Sequence, residues 1–149
     1  MSIVDVAMAA THLLFAGAWV GSVLFVTVGL LPAAKAGDLN AAPLGTAADR
    51  LRWISRVAAV VLFVTGGHMA ARQYTVTSLT GSTPGYGVLA MVALWLVLAG
   101  LVEVAGGRIE AGTDVDKVRD PARAASPLLA AATLVGGVLL LLGGVLTAA

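Results

Sequence analysis

Four runs of apolar residues, each long enough to cross a bilayer, constrain the fold of this chain more than any other feature. They cover about residues 4–31, 53–71, 86–104 and 127–148 of the 149 in the sequence. A transmembrane helix needs about 20 mostly apolar residues, and it satisfies its backbone polar groups internally. We therefore predict an all-α integral membrane protein in which residues 1–149 form a single four-span domain.

The composition agrees with a location in the bilayer and excludes several classes of function. Apolar residue types make up 59% of the chain and charged types 11%, whereas a water-soluble domain carries about 25% charged residues. The absence of cysteine excludes disulfides, thiolate metal sites and cysteine nucleophiles. The chain lacks the basic clusters interleaved with aromatic residues that indicate a nucleic-acid partner. It also lacks hydrolase motifs and phosphate-binding loops, so we predict that it is not an enzyme, with a redox role as the exception if it binds haem.

Lysine and arginine residues near the ends of the runs predict the orientation in the membrane. Eight of the nine lie in or beside the connections 33–50 and 105–126, and only Arg72 lies beside the middle connection, 73–85. Basic residues accumulate on the cytoplasmic side of multi-pass proteins. We therefore expect a cell-membrane protein with both termini outside and the first and third connections in the cytoplasm.

The lengths of the connections and the positions of proline and glycine predict how the helices are arranged. Short connections favour an up-down-up-down four-helix bundle. Pro32 is predicted to end the first helix, because proline cannot continue the hydrogen-bond ladder. Gly17 and Gly21 form a G-x-x-x-G pair, a spacing that allows close helix packing in lipid. Beyond the bilayer itself, the sequence leaves open a homo-oligomer or a larger membrane complex.

The only two histidines of the chain, His12 and His68, both lie inside apolar runs. His12 is about 19 residues and His68 about 17 residues from the predicted cytoplasmic ends of their helices, so at 1.5 Å per residue their depths differ by about 3 Å. Ionisable residues within spans are costly and mark functional sites. We predict that the two imidazoles meet near the outer face. The alternative is that each only hydrogen-bonds across a helix interface.

The residues around His12 suggest two kinds of ligand. Met8 lies four residues before His12 and shares its helix face. Imidazole suits copper, zinc and iron, and a thioether favours Cu(I), so His12, His68 and Met8 are predicted to bind a copper ion. Two axial imidazoles also suit haem b. In that case His12 and His68 would bind the haem, and Trp19, seven residues after His12, would line its pocket.

A pair of opposite charges is predicted at the other end of the spans. Arg56 lies near the cytoplasmic end of the second run and Glu103 near that of the third, at similar depth. A lone charge at such a position would be costly. We expect a structural ion pair that fixes the order of the helices, with a part in an inner gate or proton path as the alternative.

The first run carries a family resemblance. The stretch THLLFAGAWVGSVLFVTVGLLPAA resembles the first helix of the copper-resistance protein D (CopD) family, which has a histidine, a small-Trp-x-Gly step and an apolar run ending in proline. In this chain these are His12, Trp19, Gly21 and Pro32.

The second run, LRWISRVAAVVLFVTGGHMA, is similar to the second helix of the same family, with Arg56 early and a Thr-Gly step at Thr65 and Gly66. The resemblance implies a membrane domain for copper uptake or resistance at the outer face, and related families bind haem through intramembrane histidines. Three hypotheses follow: a copper-handling membrane protein, a small b-type haem protein that transfers electrons, and an accessory membrane subunit without chemistry of its own.

Overall fold

The computed structural model of the chain describes residues 2–148, and within this range the regular secondary structure is entirely helical. Four helices are long and apolar enough to cross a membrane, as in a multi-pass membrane protein. In chain order the elements are α1 (Ile3–Phe25), a π-helical segment (Val26–Leu30), α2 (Leu31–Ala36), α3 (Ala41–Gln73), α4 (Val76–Gly81), α5 (Thr83–Thr113) and α6 (Arg119–Ala148). The first three of these elements form one continuous span.

The four long helices form a ring in which sequence neighbours are antiparallel. Helix α1 packs against α3 and α6, α3 packs against α5, and α5 packs against α6. This arrangement confirms the predicted all-α up-down-up-down four-helix bundle. One end of the bundle, here called the terminal end, holds the start of α1, the end of α6 and the short helix α4. The other end, called the basic end, holds the connections 37–40 and 114–118.

The prediction that Pro32 ends the first helix is wrong, because the helix continues to Ala36. Ahead of the proline the backbone widens into a π-helical turn, in which the Leu31 N–H bonds to the Val26 carbonyl five residues back. This turn shifts the hydrogen-bond ladder, and the proline then lies in the first turn of a new α-helical segment, where its missing N–H is tolerated. The helix ends instead at Gly37, whose φ of +87° is typical of a helix C-terminus.

The helices at the basic end extend beyond the apolar runs that predicted them. Helix α3 begins at Ala41 rather than near residue 53, and α5 continues to Thr113 rather than ending near residue 104. These outer turns carry polar and charged residues, which a helix tolerates where its end leaves the hydrocarbon core. The connections at the basic end are therefore much shorter than the sequence predicted.

Buried apolar side chains are concentrated towards the basic end. We call this region the packed half, and it comprises residues 19–36, 41–62, 98–113 and 119–132. The open half comprises residues 2–18, 63–97 and 133–146. Within these residues, every buried apolar side chain lies in the packed half. The largest are Trp19, Val23, Leu31, Leu44, Leu51, Leu98, Val102, Ile109 and Leu129.

The outer surface of the bundle is apolar along its length. Leu13, Phe63, Leu134 and Leu141 are between 65% and 72% exposed, on three different long helices. A water-soluble bundle would place polar residues at such positions, whereas lipid tails solvate them. This surface therefore suits contact with a lipid bilayer.

Candidate functional site

Ser2 and Asp5 form a capping box at the start of α1 that fixes the direction of a carboxylate. The Ser2 hydroxyl accepts a hydrogen bond from the Asp5 N–H at 3.2 Å. In return, Asp5 Oδ2 accepts from the Ser2 N–H at 3.0 Å and from the Ser2 hydroxyl at 2.8 Å. These bonds satisfy N–H groups of the first turn. They also leave Asp5 Oδ1 available to the neighbouring helix.

Asp5 connects the start of α1 to the last two turns of α3. Its Oδ1 lies 3.2 Å from His68 Nε2, and Arg72 Nη2 donates to its Oδ2 at 3.3 Å. His68 and Arg72 are four residues apart and share one face of α3. The Asp5 side chain is 19% exposed, whereas the Arg72 side chain is 64% exposed. The carboxylate is therefore enclosed by donors, and its arginine partner reaches the surface.

His12 lies at the same interface, about two turns further along α1. Its Nδ1 is 2.8 Å from Thr65 Oγ1 on α3. The Thr65 hydroxyl donates its single hydrogen to the Val61 carbonyl at 2.7 Å, so it accepts from His12. This arrangement makes His12 Nδ1 the protonated nitrogen of the ring and leaves a lone pair on Nε2. Thr65 itself is only 4% exposed, so this hydrogen bond is shielded.

His68 is also held through one ring nitrogen, but through Nε2, whereas His12 is held through Nδ1. The ionised Asp5 carboxylate accepts hydrogen bonds only, so His68 Nε2 is the donor, and Nδ1 is the ring nitrogen that can offer a lone pair. In the described part of the chain, neither His12 Nε2 nor His68 Nδ1 has a hydrogen-bond partner. Each imidazole is thus oriented through one nitrogen and has the other free to act as a ligand.

The structure places both predicted histidines at the α1–α3 interface and gives each its own partner. Thr65, the partner of His12, precedes His68 by three residues, so the two contacts are about one helical turn apart along α3. Gly66 allows the helices to approach at this level, because a Cβ there would lie 3.1 Å from His12 Cε1. The two imidazoles therefore lie on facing helices at neighbouring levels.

The sequence pattern alone does not identify Asp5 and Thr65 as the residues that orient the imidazoles. Asp5 was detectable as the fourth residue of a Ser-x-x-Asp capping box, but that pattern predicts only a helix start. Thr65 lies one turn before His68 within the Thr-Gly step. Neither pattern predicts which side chain on the facing helix will be met, because that depends on the rotation of each helix about its axis.

Met8 and Trp19 lie at different distances from the histidine contacts. Met8 is partly buried and lies on α1 between Asp5 and His12, on the face that carries both contacts. Trp19 belongs to the packed half, is 1% exposed, and lies about 10 Å further along α1 from His12. Its indole N–H has no hydrogen-bond partner among the residues that the structure describes.

The donor types at this interface, two imidazoles and a thioether, are ones that transition-metal ions accept. Metal-binding histidines usually donate their second ring N–H to a carboxylate or another acceptor, which fixes the orientation of the ring. His12 on Thr65 and His68 on Asp5 follow this pattern. The described residues contain no group of three or more His, Cys, Asp or Glu side chains that could hold a metal. An ion at this interface would therefore depend on the two imidazoles and the Met8 thioether.

A haem fits this arrangement less well than an ion. Helices α1 and α3 are joined directly by the hydrogen bonds of His12 and His68. The backbone at Gly66 lies close against the His12 ring. A macrocycle with both imidazoles as axial ligands would require the two helices to separate at this level. The contacts therefore favour a ligand that occupies little volume.

A second polar cluster lies in the packed half, between α3 and α5. Arg56 Nη2 is 2.6 Å from Glu103 Oε1, so the structure brings together the two residues that were expected to pair. Arg52, which the sequence analysis did not include, contacts both Glu103 and Glu110. The stem of Arg52 packs on Gly106, where a Cβ would lie 2.5 Å from Arg52 Cγ and Cδ. Two guanidinium groups and two carboxylates thus compensate one another, which favours a structural role.

We compared the chain with protein-family models, curated proteins and solved structures. The chain matches no protein-family model, no curated protein and no solved structure. The resemblance to the copper-resistance protein D family therefore stays a prediction based on the residues of the first two spans. The geometry of the α1–α3 interface is the basis on which a function can be proposed.

Proposed function

We propose that this protein handles copper in the membrane and binds Cu(I) at the α1–α3 interface through His12, His68 and Met8. The observation that carries the proposal is that each imidazole is held through one nitrogen, by Thr65 or Asp5, and keeps its other nitrogen free. Such anchoring is typical of histidines that bind metals, because it fixes the ring and raises the basicity of the free nitrogen. Copper is the cargo of the protein in this proposal.

The available donors favour copper over zinc. Imidazole nitrogen and thioether sulfur suit Cu(I), whereas zinc sites usually combine at least three imidazole, thiolate or carboxylate ligands. The chain has no cysteine. The Asp5 carboxylate at this interface already accepts hydrogen bonds from Ser2, His68 and Arg72. A third ligand is therefore most readily supplied by Met8.

The position of the histidines supports exchange with the terminal end of the bundle. His68 lies one turn from Arg72, whose side chain is 64% exposed at that end. The distribution of basic residues indicates that the terminal end faces outwards. In that orientation, a copper ion from outside would meet Asp5 and Arg72 before it met the imidazoles. Uptake and resistance by sequestration both begin with this step.

Metal analysis and a Cu(I) competition titration of the purified protein test the proposal. We expect one Cu(I) per chain, and we expect His12→Ala and His68→Ala each to weaken binding by more than about tenfold. Leu13→Ala is the matched control, because Leu13 is adjacent to His12 and 71% exposed. Failure to bind any transition metal at micromolar concentration, or unchanged binding by His12→Ala, would contradict the proposal.

The same preparation distinguishes the two other hypotheses. Visible absorption bands in the wild type that disappear in His12→Ala and His68→Ala would show that the protein binds haem b rather than copper. A colourless protein that binds no metal, but loses a co-purifying partner on substitution of surface glycines, would instead be an accessory subunit.

A further inference from the structure

A groove on the outside of the bundle lies between the first span and α3. Its volume is about 500 Å³, and most of its lining is apolar. Gly17, Gly21 and Phe25 line it on α1, and Arg50 and Ile54 line it on α3. The groove runs towards the basic end, away from the histidines. It is therefore separate from the proposed copper site.

The G-x-x-x-G pair forms part of the wall of this groove. A Cβ on Gly17 or Gly21 would meet no atom within 4 Å, leaving aside the neighbouring residues and the backbone of the same helix turn. In residues 2–148, then, these glycines do not pack against another helix of the chain, contrary to the prediction from the sequence. The open space they leave faces the lipid side of the bundle.

Arg50 gives the groove a positive charge near the basic end. Arg52 and Arg56, on the same helix, are paired with glutamates, whereas Arg50 is exposed and has no ion pair or hydrogen bond among the described residues. Trp53, one turn further along α3, is 58% exposed. Exposed tryptophan is typical of the interface between hydrocarbon and headgroups. We therefore expect Arg50 to lie at the depth of the lipid phosphates.

We propose that this groove binds one anionic phospholipid, with an acyl chain along Gly17 and Gly21 and the headgroup phosphate at Arg50. Basic pockets between transmembrane helices are a recognised mode of binding for anionic lipids. A second copy of the chain fits less well. A two-fold interface across the groove would bring two Arg50 side chains together at the same depth. The repulsion of two like charges at short range opposes such a contact.

Native mass spectrometry of the detergent-solubilised protein, titrated with dioleoylphosphatidylglycerol or dioleoylphosphatidylcholine, tests this proposal. We expect the wild type to retain one phosphatidylglycerol and to bind it about fivefold more tightly than phosphatidylcholine. Arg50→Gln removes this preference, whereas Arg123→Gln, a change at another exposed arginine of the basic end, preserves it. An excess of inorganic phosphate leaves the lipid bound, because the acyl chain contributes to binding.

Substitution of a glycine in the groove wall provides a second, independent test of lipid binding. Gly21→Leu fills the groove and lowers the binding of both lipids, and Gly100→Leu, at an exposed glycine on α5 with the same free space, leaves binding unchanged. Equal binding of the two lipids by the wild type, or an unaltered preference in Arg50→Gln, would overturn the proposal. A dimer that is lost in Gly21→Leu would overturn it in favour of a second copy of the chain.

Discussion

The packed half and the open half of the bundle use their polar residues in different ways. In the packed half, Arg52 and Arg56 are compensated by glutamates across the α3–α5 interface. In the open half, His12 and His68 are partly exposed, and each retains a ring nitrogen that has no hydrogen-bond partner in residues 2–148. Polar groups that hold helices together and polar groups that remain available for a ligand therefore occupy different levels of the bundle.

The packed half and the open half are also expected to differ in mobility. Regions with few buried apolar contacts open locally at a lower free-energy cost than a packed core. An ion that enters and leaves between α1 and α3 requires such opening. The packed half supplies a fixed base for the helices, and the open half supplies the freedom to exchange a ligand.

The largest expected effect is a loss of stability on truncating the packed core. Leu129→Ala, at a side chain with no exposure, is expected to lower the free energy of unfolding by about 2–3 kcal/mol, because it leaves a cavity. Leu141→Ala, on the same helix but 72% exposed, is expected to cost less than about 0.5 kcal/mol, since lipid replaces the lost contact. Unfolding in mild detergent measures both. Equal losses would remove the distinction between the halves.

Removing a carboxylate from the charge cluster is expected to have the next largest effect. Glu103→Gln leaves two guanidinium groups partly uncompensated and is expected to cost about 2 kcal/mol, allowing for the partial exposure of the cluster. Glu110→Gln affects Arg52 alone and is expected to cost about half as much. Copper affinity is the control and remains unchanged in both variants. A change in copper binding would indicate that the cluster belongs to the functional site.

Thr65→Val tests whether the hydrogen bond that holds His12 in the open half contributes to copper binding. The variant keeps the shape of the side chain but cannot accept the hydrogen bond of His12 Nδ1–H, so we expect Cu(I) affinity to fall about tenfold. Thr133→Val is the matched control, because the Thr133 hydroxyl also hydrogen-bonds across a helix interface, with Thr27, but has no contact with either histidine. Competition titration measures the affinities. Similar affinities for the two variants would argue against the role assigned to Thr65.

Asp5→Asn is expected to have the smallest effect on stability. It weakens the capping box and the contacts with His68 and Arg72, and we expect the free energy of unfolding to fall by less than it does in Glu110→Gln, because Arg72 is exposed. Ser2→Ala removes only the cap and serves as the control. If the two variants lose the same stability, the contacts of Asp5 with α3 contribute nothing to the fold.

Much of the fold could be predicted from the sequence, because a bilayer permits few structures for long apolar runs. Four helices and their antiparallel order follow from those runs and their short connections. The helix ends at the basic end could not be predicted, since polar residues there are compatible with either a helix or a connection. Pro32 was misleading, because a π-helical turn accommodates it without ending the helix.

The candidate site could be predicted only in part. The depth of His12 and His68 follows from residue counting, and the structure places both at the α1–α3 interface. Their partners, Thr65 and Asp5, depend on how each helix is rotated. An apolar pattern with little preference for one face carries little information about that rotation. The same uncertainty explains why Arg52 was missed beside Arg56.

X-ray absorption at the copper edge of the protein loaded with one Cu(I) per chain tests the central claim most directly. We expect scattering from two imidazole rings and one sulfur atom. Removal of one ring signal by His12→Ala, and of the sulfur signal by Met8→Leu, would follow from the proposed ligands. A spectrum without imidazole scattering, or one that is unchanged by His12→Ala, would contradict the claim that the open half holds a site made of these two histidines.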